Sequence, residues 1–259
     1  MTATAGIFRD RKQRVLAHVL SRISDSSFEP GARLDVNMVA KEVGVSSTPV
    51  REAFSSLENS GILEHLPRFG MVVRKMTLEQ VANLYEFREM LEGFAAEKAA
   101  ERRTDAHLAE LRRHCDAMLA ILRRMRGREP RLGDDQEQES NWLIADLTFH
   151  QVLLEASNNG ELVRTANQCH LLSRICRLGR AAKAADRMGW RRMLIVWWHH
   201  TRIYRAVQLR QPREAGRWVR WHLVDAKTRR LSAMKNNQVY APYPAGSAER
   251  IFRMENMEI

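Results

Sequence analysis

NMVAKEVGVSSTPVREAFSSLENSGILEHLPRFGMVVR, residues 37–74, reads as a short helix (37–43), a turn (44–46), a second helix (47–60) and a hairpin (62–74). Gly44 can take the positive-φ conformation that a sharp helix-to-helix corner needs. Ser46 or Ser47 can cap the second helix, with Pro49 in its first turn, where a missing N–H costs nothing. Val50, Phe54 and Leu57 recur at helical spacing, so this stripe is expected inside, and the face carrying Ser47, Thr48, Arg51, Glu52 and Ser55 outside. That outward face is polar and short-chained, which suits a DNA groove. After Gly61, Ile62-Leu63 and Met71-Val72-Val73 form two strands about the turn Pro67-Arg68-Phe69-Gly70. The pattern predicts a winged helix-turn-helix.

Upstream, Val15, Val19, Leu20 and Ile23 keep helical spacing over Arg11–Ile23, a helix expected to pack under the recognition unit. The turn Phe28–Gly31 leads into Arg33-Leu34-Asp35-Val36, a short strand expected to pair with the wing. Downstream, Lys75-Met76-Thr77 is the boundary, and Thr77 with Gln80 is a capping-box pattern that opens a helix. Val81, Leu84, Tyr85, Met90, Leu91 and Phe94 hold helical period to about Arg103. Thr104 caps a further helix to about Arg126, and residues 127–138 read as a loop. Four helices follow, at about 139–157, 161–180, 187–210 and 212–234, punctuated by Gly160, Gly179 and Pro212. No period-2 pattern occurs after the wing. The expected fold is therefore mainly α: a winged helix-turn-helix over 9–76, an all-α helical bundle over 77–235, and a tail over 236–259 without a clear pattern.

The 259-residue chain allows two modest domains. Its three cysteines, Cys115, Cys169 and Cys176, form no CxxC pair, which fits a reducing cytoplasm. No apolar run approaches a membrane span and no signal peptide is visible. A cytoplasmic protein is expected. The net charge of +11 invites a nucleic-acid reading, but residues 1–76 carry 11 Lys/Arg against 8 Asp/Glu while residues 161–235 carry 18 against 4. The basic excess thus lies mostly outside the DNA-reading segment, where it can extend a footprint on DNA, attract an anionic ligand or solvate helices.

The run Gly44–Ala53, followed by Leu57-Glu58-Asn59-Ser60-Gly61 and the Pro67–Gly70 wing tip, closely resembles the N-terminal domain of GntR-family transcriptional regulators. The resemblance implies a dimer that sets two 47–60 helices in successive major grooves of a near-palindromic operator in double-stranded DNA. Arg51 is the foremost DNA-contacting candidate. Thr48 and Ser47 are within reach of phosphates or bases, Asn37 approaches the backbone, and Arg68 extends the wing. Members commonly carry Arg where this chain has Ser47. The chain therefore lacks a guanidinium whose bidentate pairing with guanine discriminates by ~1–3 kcal/mol.

In the bundle, Asp146 and His150 are four apart and leave one helix face. His200 and His222 sit beside apolar residues expected to point inward, Ile203 and Val207 with the first and Val219 with the second. One carboxylate and three imidazoles can surround a borderline divalent metal and leave coordination positions open, although spacing alone does not prove convergence. Each histidine taken singly reads as a surface or packed core residue. The Asp146–His150 segment, Ala156–Asn159, and His200 and His222 with their interval resemble the FadR-type C-terminal domain called FCD. Many such domains bind a metal through an Asp and three His, matched here by all four residues. The implied cofactor is a divalent metal ion, zinc first, with nickel or manganese as alternatives. The implied effector is a small organic acid or related metabolite. Arg88 matches an arginine that faces the cavity in such domains and can grip a carboxylate through its guanidinium fork. It can equally pair with Glu92 at i,i+4. Asn159 and Arg174 are weaker effector candidates. His199 is expected to point about 100° away from His200, toward solvent or a neighbouring helix. Most tryptophans, and Phe54 and Phe94, read as packing.

A metabolite-responsive, dimeric DNA-binding regulator is the expected function, repressor or activator. A metal-dependent enzyme is the alternative, with Glu155 the nearest candidate base. A nonspecific DNA binder is the third reading, which the modest charge of the reader disfavours.

Overall fold

The computed structural model of the chain describes residues 2–24, 27–125, 136–175 and 190–235. Its elements are α1 (Thr2–Ser24), α2 (Val36–Val43), α3 (Ser47–Asn59), β1 (Leu63–Leu66), β2 (Gly70–Val73), α4 (Leu78–Arg102), α5 (Asp105–Met125), α6 (Gln136–Ala156), α7 (Gly160–Ile175), α8 (Trp190–Gln208) and α9 (Pro212–Lys235). They fall into two compact units, broadly 2–77 and 78–170 with 190–235. The expected tail, Cys176, Gly179 and most of the expected 127–138 loop lie outside the described residues.

In the first unit, Asp35 caps α2 by accepting from the Met38 N–H at 2.9 Å, so the helix starts one residue before Asn37. Gly44 ends it in the left-handed conformation, φ 71°, and its N–H bonds Ala40 O. Ser46 holds the N-cap position of α3 without a side-chain capping bond. Pro49, Val50, Ala53, Phe54 and Leu57 are buried on α3 and join Val15, Val19, Leu20 and Ile23 of α1 in one apolar core. Arg14 donates to Val43 O at 2.9 Å, satisfying a carbonyl that the end of α2 would otherwise leave open. β1 and β2 pair antiparallel with Leu63 opposite Val73. The strand expected at 33–36 is shorter than its sequence suggests. Arg33 makes a single bridge to Val72 and Leu34 N–H bonds Met71 O, but Val36 already belongs to α2.

Among its described residues, every element of the second unit is a helix. Leu111, Met118, Phe149, Leu153, Ile203, Val207 and Val219 lie in its core. Thr104 and His107 cap α5 reciprocally, each accepting from the other's backbone N–H at 3.2 Å. Residues 136–138, expected as loop, are the first turn of α6. Met90 and Phe94 follow the helical period yet stand 59% and 45% exposed, so the packing expected of Phe94 does not occur. α4 lies against α9 at two glycines. A Cβ on Gly93 would come within 2.6 Å of the Arg220 guanidinium, and one on Gly216 would strike the Glu97 carboxylate. Arg220 and Glu97 form an ion pair there at 2.7 Å, and Lys227 reaches Glu89 at 3.1 Å. This close approach sets the depth of α9 and therefore of His222. Among the described residues, no helix is long and apolar enough to cross a membrane.

Candidate functional site

On the first unit, Thr48, Arg51, Glu52 and Ser55 are exposed along α3, and Ser47 is half-buried at its start. Asn37 is exposed in the first turn of α2. Arg68 is exposed at the wing tip with φ 69°, beside Phe69, which is 66% exposed. The five residues expected at DNA thus stand on the surface of the unit. The apolar stripe of α3 fixes this, because burying Val50, Phe54 and Leu57 leaves the other face no choice but solvent.

Inside the second unit, three helices bring four polar side chains together. α6 supplies Asp146 and His150 one turn apart, α8 supplies His200 and α9 supplies His222. One candidate ligand atom from each lies within 4.8 Å of all the others. His200 Nε2 stands 3.2 Å from Asp146 Oδ1, while its Nδ1 lies 2.8 Å from Val196 O. A backbone carbonyl can only accept, so Nδ1 carries a hydrogen, and in the neutral ring the Nε2 lone pair faces the cluster. The Phe149 ring meets the His200 ring edge-on at 4.6 Å, and the three imidazole centroids are 4.9 to 5.1 Å apart.

The three histidines are almost fully buried. His150 Nδ1, His200 Nε2 and His222 Nδ1 nevertheless have no hydrogen-bond partner. Each such buried atom costs ~1–3 kcal/mol when left unmade. Burial, then the neighbouring His200 and His150, pushes His222 well below its ordinary value, so it is a neutral imidazole at pH 7. Burial raises Asp146, and His200 first, then His150 and His222, lower it by more, so a protonated ring beside it keeps the carboxylate ionised. A carboxylate and imidazole nitrogens that no hydrogen bond engages, His200 Nε2 and His222 Nδ1 among them, are the donor set that zinc and neighbouring divalent ions take. The residues therefore fit a cation.

Beneath the cluster is a second, fully buried carboxylate, Glu92, whose place in the sequence shows only the i,i+4 partner of Arg88. Glu92, 1% exposed, receives Arg88 Nε at 2.7 Å on Oε1, with His170 Nε2 2.8 Å from the same oxygen. Its Oε2 is 3.3 Å from His150 Nδ1. Burial would raise this carboxyl, yet Arg88 and His170 hold it well below the usual range, whereas burial lowers His170 to about 4. A glutamate in register with Tyr85, Ala96 and Ala99 on the buried face of α4 was the available signal for Glu92. His170 had none, because its role depends on how α7 meets α4.

The other candidates are placed differently. Arg88 makes the i,i+4 pair and lies over the Tyr85 ring at 5.1 Å, so its guanidinium is already engaged on the cluster side of α4. Asn159 Oδ1 accepts from Leu162 N–H at 3.2 Å and caps α7. The Arg174 side chain lies outside the described residues. His199 is buried against the neighbouring helix, with Trp218, Trp221 and His222 around it. Glu155 is exposed and receives Gln151 Nε2 at 2.8 Å, away from any role as a base in the cluster. Trp142 and Trp218 are core, while Trp198 and Trp221 are 42% and 52% exposed.

Residues 11–73 match the gntR family of bacterial regulatory proteins and residues 83–225 match the FCD domain. The HTH-type transcriptional regulator YdhC of Bacillus subtilis is 24% identical over 200 residues, 77% of this chain and 82% of that protein. The gluconate operon transcriptional repressor of the same species is 27% identical over 143 residues, 55% of this chain and 54% of the repressor. The solved structure of E. coli McbR/YncC superimposes with a TM-score of 0.67 at 19% identity, covering 86% of this chain and 98% of that one.

Proposed function

The chain belongs to the GntR family of bacterial DNA-binding transcriptional regulators, with an effector-responsive FCD domain, and from that membership we propose a cytoplasmic dimer that reads a near-palindromic operator and senses a small carboxylate through a metal site. Its family and relatives are transcriptional regulators, not enzymes. We place the domain boundary at 76/77, with the reader in front and the sensing and dimerising bundle behind. In the reader, Arg51 and Thr48 would meet base edges or phosphates, with Ser47, Asn37 and Arg68 holding the duplex backbone.

The single observation that carries the sensing half is the convergence of Asp146 with three buried histidines, two of whose nitrogens, His200 Nε2 and His222 Nδ1, have no hydrogen-bond partner. Asp146, His150, His200 and His222 would hold a divalent cation, zinc before nickel or manganese. When bound, that ion supplies Lewis-acid positions to which a carboxylate can coordinate. The chain's own residues orient the donors and exclude water: Val196 O fixes the His200 tautomer and Phe149 closes one side. A relative whose name ties it to the gluconate operon agrees with a hydroxy-acid effector. Effector binding would bias the bundle between two arrangements and so the spacing of the readers, which requires different affinity for the two.

The test combines metal analysis of the purified protein with a thermal-shift screen of small carboxylic acids. About one bound metal per chain and acid-dependent shifts that vanish on chelation are expected. Metal-free protein that gains no stability from added zinc, nickel or manganese would refute the sensing half.

A further inference from the structure

We infer that Glu92 is the outer-sphere carboxylate that sets the His150 ring, holding Nδ1–H toward itself so that Nε2 presents its lone pair to the cation. The inference deepens the proposed metal site and rests on that reading. Glu92 acts through His150 and is a positioning residue, not a ligand.

The two oxygens of Glu92 have separate tasks. Oε1 accepts from Arg88 Nε, always a donor, at 2.7 Å, which fixes it from α4, and His170 Nε2 of α7 stands 2.8 Å away. Oε2 is 3.3 Å from His150 Nδ1, an ion-pair contact that falls short of a hydrogen bond, and neither atom hydrogen-bonds to any other group. A ring whose Nδ1 is turned to Glu92 has only Nε2 left for Asp146, His200 and His222. His200 shows the same arrangement with a backbone carbonyl in place of the carboxylate, since Val196 O holds its Nδ1. Metal-binding histidines commonly give their second nitrogen to such an acceptor, which fixes the tautomer and raises the basicity of the ligating nitrogen.

Glu92→Gln makes a sharp test. Because Arg88 Nε–H must meet an acceptor, the amide oxygen takes the Oε1 side and the amide NH2 faces His150. An NH2 there donates to Nδ1 and favours the Nε2–H tautomer, which has no lone pair for a cation. Two readouts apply to the full-length protein. Long-range 15N–1H NMR of the metal-free chain reports the His150 tautomer, and zinc titration against a chromophoric chelator reports affinity. Nδ1–H at His150 in the wild type, a shift toward Nε2–H in Glu92→Gln, and zinc affinity about 10–100-fold weaker are expected.

The inference is overturned by a wild-type His150 on the Nε2–H tautomer, a result that needs no variant to fold. It is also overturned by a Glu92→Gln protein that binds zinc as tightly as wild type. Wild-type protein that takes up neither zinc nor nickel sinks the metal reading and this inference together. That outcome is distinct from failure of the inference alone, in which the wild type binds and the substitution changes nothing.

Discussion

Arg51 leaves the exposed face of α3, one turn from the helix start, with Thr48 one turn before it and Ser55 one turn after. No core atom depends on it, so Arg51→Ala should keep the fold and its circular dichroism. If Arg51 reads a base edge, the substitution removes ~1–3 kcal/mol of operator affinity, visible in an electrophoretic shift assay. Undiminished sequence-specific binding would remove Arg51 from the interface. In the bundle, His200→Ala should abolish the thermal shift caused by added zinc. His199→Ala should keep that shift, since His199 packs among Trp218, Trp221 and His222 and is not one of the four clustered donors. Equal loss in both variants would mean that the shift does not depend on the four clustered donors in particular.

At the level of helices, α4 and α9 approach where Gly93 and Gly216 give up their side chains to Arg220 and Glu97. Gly93→Ala gains up to ~1 kcal/mol of helix propensity but loses ~1–3 kcal/mol to overpacking against the Arg220 side chain. Net destabilisation is expected in urea unfolding. In an Arg220→Ala background the clash is gone, and the same change should become neutral or stabilising. A Gly93→Ala protein more stable than wild type would show that Arg220 moves aside freely. This approach could not be read from the sequence, where the two glycines stand in unbroken helical patterns. The corner at Gly44, the buried stripe of α3 and the hairpin could be read, because each depends on neighbours within a few residues. Asp146 and His150 announced a shared face through their four-residue spacing. His170 did not, since only the meeting of α7 with α4 brings it to Glu92. The Val36 end of the expected strand was lost to α2 because Asp35 is a better helix cap than a strand residue.

For the molecule as a whole, acid should weaken the fold as soon as the pH falls through the ordinary histidine range. His170 and His114 are lowered from about 6.5 to about 4, chiefly by burial, and His222 is lowered as well. A group depressed in the folded state binds its proton first in the unfolded chain. Stability should therefore be full above about pH 6.5 and fall as pH drops toward 4. Melting temperatures between pH 7.5 and 5 in chelator would show this decline, and a flat profile would mean that these rings are open to water when folded. Charge makes a separate prediction. With the basic excess concentrated in 161–235, a nonspecific binder would show steep salt dependence and little preference among sequences. Retention of one operator against a large excess of unrelated duplex is the expected outcome, and equal competition by both would favour the nonspecific reading.

The unpartnered nitrogens of His200 and His222 carry a consequence beyond sensing. Under the proposed metal reading, a cation present at about 100 times its dissociation constant adds roughly 2.7 kcal/mol to the fold. Cellular proteases attack whichever molecules are momentarily open, so a starved cell would clear this regulator faster than a well-supplied one. Pulse-chase half-lives with and without a membrane-permeant chelator should differ for the wild type and coincide for His200→Ala. The amount of the protein, and not only its shape, would then keep a record of the metal supply.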